Sequence, residues 1–152
     1  ILKWVIPYLP EEKPRHLLGV GKVADVFEAV ENGIDTFDCV IPTREARHGR
    51  LYTRTGHMDI RKGKYAADNL PAGEAGKIIE KSCDCLTCSS NISRAEIRTL
   101  IKNADRELNA QGQRWCLMHN MWFFNKLLED IRDSIAKGKF LNFKKKVITR
   151  FK

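Results

Sequence analysis

The spacing of apolar residues changes along this chain, and each change predicts an element. Residues 16–20 form a short apolar run closed by Gly19 and Gly21, which reads as a buried strand. Over 22–32, Val23, Val26, Phe27 and Val30 recur at helical intervals and Gly33 stands just beyond, so a helix with a glycine stop is expected. A second apolar run over 34–40 predicts another strand. Strand, helix and strand joined by short connections are the grammar of a parallel α/β fold. The pattern then breaks. Residues 42–49 read as a polar, arginine-rich loop, and 50–61 alternate around Thr55-Gly56 as a hairpin does. Residues 63–76, punctuated by glycines and Pro71, read as loop, and Pro7, Pro10 and Pro14 predict an irregular opening.

Helical spacing governs the second half. Over 93–108, Ser93 and Glu96 form a capping box ahead of a stripe of Ile97, Leu100, Ile101, Ala104 and Leu108. Residues 109–112 predict a break. A second helix over 116–136 presents Leu117, Met121, Phe124, Leu128, Ile131 and Ile135 as its buried seam and stops at Gly138. A third, over 140–151, sets Phe140, Phe143, Val147 and Phe151 against a lysine-rich face.

The 152 residues suffice for one domain with a real core, and 43% hydrophobic content fits a soluble protein. No run approaches the roughly 20 apolar residues of a membrane span. The chain starts at Ile1, without an initiator Met or a leader, as a piece of a longer protein or a trimmed product would. The net charge of +8 is unevenly placed: residues 1–88 carry 13 basic and 13 acidic side chains, whereas 89–152 carry 14 and 6. Such a basic half favours a polyanion, nucleic acid first, although a solvated helical face has the same composition.

Five cysteines, three of them at 83, 85 and 88, argue for a metal and a reducing, cytoplasmic setting over a disulfide framework. Zn²⁺ takes four such ligands in a tetrahedron. Cys83, Cys85 and Cys88 supply three, and Cys116 and His119 are equal candidates for the fourth; with all four positions filled, the ion is structural. Asp38 lies near the end of an apolar strand, where barrel enzymes project catalytic groups, but an aspartate there commonly caps the next loop instead. Asp35 is expected on the opposite face, which argues against a paired-carboxylate site. Arg44, Arg47 and Arg50 follow, suited either to phosphates and base edges or to salt bridges with Glu45. Gly19-Val20-Gly21 lacks the third glycine of a dinucleotide fingerprint, since position 24 is Ala, and marks a close backbone approach instead.

Together these segments resemble the tRNA-guanine transglycosylase family, also called queuine tRNA-ribosyltransferases. The resemblance rests on residues 13–21, on 33–44 with Phe37-Asp38-Cys39 and Pro42-Thr43-Arg44, on Cys83, Cys85 and Cys88, on Ser93-Arg94-Ala95, and on His119-Asn120. It implies an α/β fold, the C-terminal part of a (β/α)₈ TIM barrel with a helical zinc-binding subdomain. Residues 1–62 would supply the last barrel strands and helices with the catalytic loop, 63–138 the zinc subdomain, and 139–152 a basic C-terminal helix.

The resemblance further implies exchange of guanine at the tRNA wobble position for a 7-deazaguanine, preQ1 or queuine, in queuosine biosynthesis. Asp38 would be the covalent nucleophile, Leu18 and Gly19 the wall over the base, and Arg44 and Arg47 the readers of the uridines in a U-G-U anticodon loop. One structural Zn²⁺ would be held by Cys83, Cys85, Cys88 and His119. The full-length protein would be a cytoplasmic homodimer with no membrane contact, and Trp122 and Phe123, off the expected seam, would serve that interface or pack on the barrel. Methionine is usual where Leu18 stands, the connection from 65 to 83 lacks the familiar Pro-x-Asp, and 109–114 looks like a loop insertion. The chain matches only the C-terminal two-fifths of the family, so the fragment is expected to be inactive alone. Competing functions are a noncatalytic accessory subunit and a free-standing zinc-containing tRNA-binding module.

Overall fold

The computed structural model describes residues 1–66 and 76–151. Most of the loop expected over 63–76 therefore lies outside the described residues; Gly63–Tyr65 form a 3-10 turn. After a single-turn helix α1 (Leu2–Val5) and a second 3-10 turn, strand β1 (His16–Leu18) leads into helix α2 (Val23–Glu31) and strand β2 (Thr36–Asp38). The strands pair in parallel, with His16 opposite Thr36, Leu17 opposite Phe37 and Leu18 opposite Asp38. The expected strand–helix–strand unit is present, and α2 buries Val23, Val26, Phe27 and Ala29. Gly21 is needed where β1 ends: a Cβ there would collide with the Cys39 sulfur.

Residues 42–49 are not a loop. Helix α3 (Ile41–Arg47) starts with Pro42 in its first turn, where a missing N–H costs nothing. It buries only Pro42 and Ala46, four apart. Two inward residues make too narrow a stripe to register as a helix amid so many charges. The hairpin then forms as expected from β3 (Arg50–Thr53) and β4 (Gly56–Asp59), with Leu51 opposite Met58.

The helical half contains a further correction. After α4 (Leu86–Ser89), helix α5 (Arg94–Ile101) is capped by the Ser93 hydroxyl, which accepts from the Glu96 N–H. It ends seven residues before the expected 108. Helix α6 (Arg106–Ala136) then runs unbroken for 31 residues through the expected break at 109–112. Local capping outweighs periodicity here. The Asp105 carboxylate accepts from Glu107 and Leu108 N–H, both at 3.0 Å, and so starts α6 at 106. Asn109, read from sequence as part of a break, donates to the Ile101 carbonyl at 2.6 Å and satisfies the end of α5. Gly112 serves close packing. A Cβ there would sit 2.6 Å from the Ile101 nitrogen, so only glycine lets α6 lie this close to α5.

The buried seam of α6 is also rotated from expectation. Cys116, His119, Asn120, Phe123, Phe124, Leu127 and Ile131 are buried, whereas Met121 and Ile135 are 41% and 51% exposed. Phe123, expected off the seam, belongs to it. Two polar side chains occupy the middle of this stripe, which an apolar pattern cannot reveal. Helix α7 (Phe140–Ile148) closes the structure, with Phe143 edge-on to Phe27 and Lys144 ion-paired to Glu28 and Glu31 of α2.

Two apolar cores result. One gathers Leu51, Ile60, Ile79, Ile97, Ile101 and Cys116 with the three clustered cysteines. The other joins α2, α6 and α7 through Phe27, Phe123, Phe124, Leu127, Ile131 and Val147. Strand β3 separates them, with Leu51 in the first and Tyr52 in the second. Helix α6, about 46 Å long at 1.5 Å per residue, spans both. No described helix is long and apolar enough to cross a membrane.

Candidate functional site

Cys83, Cys85 and Cys88 converge because α4 begins between them. Cys85 is the N-cap of that short helix, and its sulfur accepts from the Cys88 N–H. The loop alone leaves one side of the thiol cluster open, and α6 closes it with His119. The His119 Nδ1 lies 3.6, 3.4 and 3.7 Å from the sulfurs of Cys83, Cys85 and Cys88. All four ligand atoms fall within 4.8 Å of one another, and all four residues are buried. A tetrahedral zinc with bonds of about 2.3 Å to sulfur and about 2.05 Å to nitrogen separates those two ligands by roughly 3.5 Å. The donor set therefore fits one zinc ion. Cys116, the rival fourth ligand, sits one helical turn before His119 and lies outside the group of converging ligand atoms; burial pushes its thiol up to about 12.

The site's own electrostatics call for a cation. Hydrogen bonds from the Cys83 and Cys88 thiols hold Cys85 far below the ordinary thiol range, while those same contacts drive Cys83 upward. Burial pulls His119 down, but the Cys85 and Cys88 sulfurs more than offset it and raise it to about 9. A divalent ion bound there supplies the charge that makes its cysteine ligands thiolates.

Behind the ligands lies a second layer. The His119 Nε2 donates to the Tyr52 carbonyl at 2.8 Å, which turns the Nδ1 lone pair toward the sulfurs. The neighbouring Asn120 is fully buried. Its Oδ1 accepts from the Tyr52 N–H at 3.1 Å, and its Nδ2 donates to the carbonyls of Pro42 and Arg50 at 3.1 and 3.0 Å. Three segments, α3, β3 and α6, thus meet on one amide. Sequence reasoning noticed the His119-Asn120 pair but gave Asn120 no task; the available signal was a polar residue adjoining a ligand within an apolar helix.

The second cluster of chemistry lies at the ends of the parallel strands. Asp38 pairs with Leu18 across the ladder, so both side chains leave the same face, and the Gly19 N–H donates to the Asp38 carbonyl at 2.7 Å. Both are exposed, Leu18 by 66%. The Asp38 carboxylate caps no helix: α3 starts at N-cap Val40 without a side-chain hydrogen bond. Asp35 takes the structural role instead, accepting from the Arg15 N–H at 2.8 Å. Arg44 and Arg47, three apart on α3, share an exposed face. Arg44 lies 3.9 Å from Glu45, which also pairs with Arg50 at 3.5 Å, while Arg47 has no ion pair among the described residues.

A sequence profile of the queuine tRNA-ribosyltransferases matches residues 1–152. The chain belongs to the queuine tRNA-ribosyltransferase family. Among curated relatives of that name, the protein of Lachnospira eligens is 40% identical over 152 residues, covering all of this chain and 37% of its own length. That of Clostridium perfringens is 43% identical over 146 residues, 96% of this chain and 35% of the relative. That of Fusobacterium nucleatum is 42% identical over 151 residues, 99% and 37% respectively. The chain thus spans little more than a third of the length of these queuine tRNA-ribosyltransferases.

Proposed function

We propose that this chain is the portion of a tRNA-guanine transglycosylase that carries the nucleophile, the uridine-reading arginines and the structural zinc. The observation that carries the reading is Asp38: an exposed carboxylate at the end of a parallel strand, unused by any cap, beside Leu18 and Gly19 and just ahead of α3. A carboxylate oxygen of Asp38 attacks C1′ of the target ribose. The N-glycosidic bond breaks, its electron pair passes to guanine, and guanine leaves after taking up a proton. The incoming 7-deazaguanine, preQ1 or queuine, loses a proton and attacks C1′ in turn, which breaks the Asp38–ribose ester and frees the enzyme. This is the two-step logic of a retaining glycosidase with a base replacing water.

Leu18 and Gly19 wall the base, and Arg44 and Arg47 contact the uridines flanking guanine in a U-G-U loop. Cys83, Cys85, Cys88 and His119 hold a structural zinc away from the chemistry. The parallel pair β1–β2 belongs to a (β/α)₈ barrel. Two strands cannot close such a barrel, so the 152 residues alone exchange no guanine. The test uses the chain joined to the rest of a family-length protein. Denaturing gels of that protein with tRNA should show a covalent adduct that Asp38→Asn abolishes. An adduct that survives Asp38→Asn, or robust exchange by the 152 residues alone, would sink the proposal.

A further inference from the structure

A cleft lies between α6 and α7 on the side of the hairpin tip, with a volume of about 180 Å³. Its walls are aromatic: Trp122 and Phe143 are half-buried, and Phe151 lies 5.8 Å from Phe123 and 6.1 Å from Tyr52, ring centre to ring centre. Its rim is cationic. Arg54 from the hairpin turn, and Lys146 and Arg150 from the end of the chain, are exposed there. The Arg54 and Lys146 side chains make no hydrogen bond or ion pair among the described residues, while Arg150 donates to the Arg54 carbonyl at 2.7 Å. The lining acid, Asp130, is matched by Lys126 at 3.7 Å, so the rim keeps its positive excess.

We propose that this cleft is a second RNA contact, in which one unstacked base lies against Trp122, Phe143 and Phe151 while the adjoining phosphates sit on Arg54, Lys146 and Arg150. Three features of the cleft select this occupant. Its volume is well below the roughly 300–1,000 Å³ of a site that encloses a small molecule; it admits one flat ring and leaves the rest outside. Aromatic walls with unpaired cations on the rim are how proteins hold single-stranded nucleic acid, through stacking and phosphate neutralisation. Arg54 is also one of four exposed arginines within residues 44–54, with Arg44 and Arg47 on α3 and Arg50 at the start of β3. Strand β3 advances about 10 Å from Arg50 to Thr53 at 3.3 Å per residue, and Arg54 follows in the turn, so an RNA strand along the hairpin reaches the cleft within a few nucleotides. The inference rests on the proposed tRNA substrate and adds a site to it.

The probe is a fluorescein-labelled RNA hairpin with a U-G-U loop, titrated against the zinc-loaded chain by anisotropy at several salt concentrations. Lys146→Glu and Arg54→Glu should each raise Kd about tenfold and flatten the salt dependence by about one phosphate contact, with zinc content and circular dichroism unchanged. Lys145→Glu makes the same charge change on another face of α7, outside the cleft and beside Leu141 and Ile148, and should stay within about twofold if phosphate contacts at the cleft carry the binding. Equal losses from Lys145→Glu and Lys146→Glu would mean that only net charge matters and would overturn the site. So would wild-type affinity in Lys146→Glu, absence of RNA binding by the unaltered chain, or a Lys146→Glu effect confined to self-association in sedimentation. An Arg44→Ala/Arg47→Ala variant separates the two readings. Loss of affinity there with none in Lys146→Glu sinks the cleft alone, and the reverse leaves the cleft and removes the arginine helix from tRNA recognition.

Discussion

Asn120 is the residue whose removal should reveal how the metal centre is joined to the rest of the molecule. Asn120→Ala deletes one acceptor and both donors of a fully buried amide, orphaning the Tyr52 N–H and the Arg50 carbonyl and removing a second partner from the Pro42 carbonyl, which also serves the α3 ladder. An orphaned buried group costs about 1–3 kcal/mol. The Tyr52 and Pro42 contacts are buried, but the one to Arg50 is only partly so, and water recovers some of its loss. The sum is about 2–4 kcal/mol, a large share of the roughly 5–15 kcal/mol that holds a domain folded. Asn120→Asp is the sharper variant. It keeps the shape and the acceptor for Tyr52 but loses both donors and sets a carboxylate against two carbonyls. It should therefore cost at least as much as the alanine, whereas a merely space-filling Asn120 would make it the milder change. Urea denaturation of the zinc-loaded chain gives the comparison. Because the Tyr52 carbonyl orients His119, zinc affinity measured with a competing chelator should fall about 10–100-fold as well. Either variant within about 1 kcal/mol of wild type, at an unchanged denaturant slope, would refute the reasoning, since a buried amide with three partners cannot be that cheap to lose.

Three further perturbations test other parts of the fold. Chelation should release one zinc per chain and collapse the core around Cys83, Cys85, Cys88 and Ile97, because a structural zinc of this type contributes about 10–16 kcal/mol of apparent binding free energy; an unchanged helical circular dichroism signal after complete metal loss would contradict this. Gly112→Ala gains about 1 kcal/mol of helix propensity but drives a methyl to 2.6 Å from the Ile101 nitrogen, an overpacking worth about 1–3 kcal/mol, so the Tm should fall and a rise would show that α5 yields freely. Burial raises the Tyr52 phenol from 10.0 to about 12. Its folded value exceeds its unfolded one, so its contribution is complete below pH 10 and is lost as pH climbs toward 12; Tyr52→Phe should lack that part of the alkaline decline, and identical decline curves would remove Tyr52 as its cause.

What could be read in the sequence divides along a physical line. Wherever an element announces itself through many apolar side chains, as in α2 and the β3–β4 hairpin, periodicity located it. Where a few polar groups decide, periodicity failed. Asp105 sets the start of α6 by accepting two N–H groups, and Asn109 and Gly112 look like a break because a polar side chain and a missing Cβ are what a tight helix crossing requires. Helix α3 escaped because two inward residues support it while its arginines face water. The metal ligands on the cysteine loop were legible because thiols at such spacing have few other uses. The choice of His119 over Cys116 was not legible in the residues themselves, since both lie on one helix a single turn apart and only the angle at which α6 meets the loop separates them.

The same angle explains how a buried metal can matter to an exposed carboxylate that it does not touch. The zinc ligands fix His119 and therefore the rotation of α6 about its axis. That rotation presents Asn120 to the Pro42 and Arg50 carbonyls, at the start of α3 and just after its end. Helix α3 is thereby pinned at both ends, with Arg44 and Arg47 on its free face and Asp38 only three residues before its first turn. Packing of α3 along α6, through Pro42, Ala46 and the partly buried Ile41, acts together with this amide. The influence of the metal on the site therefore passes through α6, by this amide and by the packing of α3 on it, and its loss should loosen the arginine helix before it disturbs β2, which is held separately by its ladder with β1.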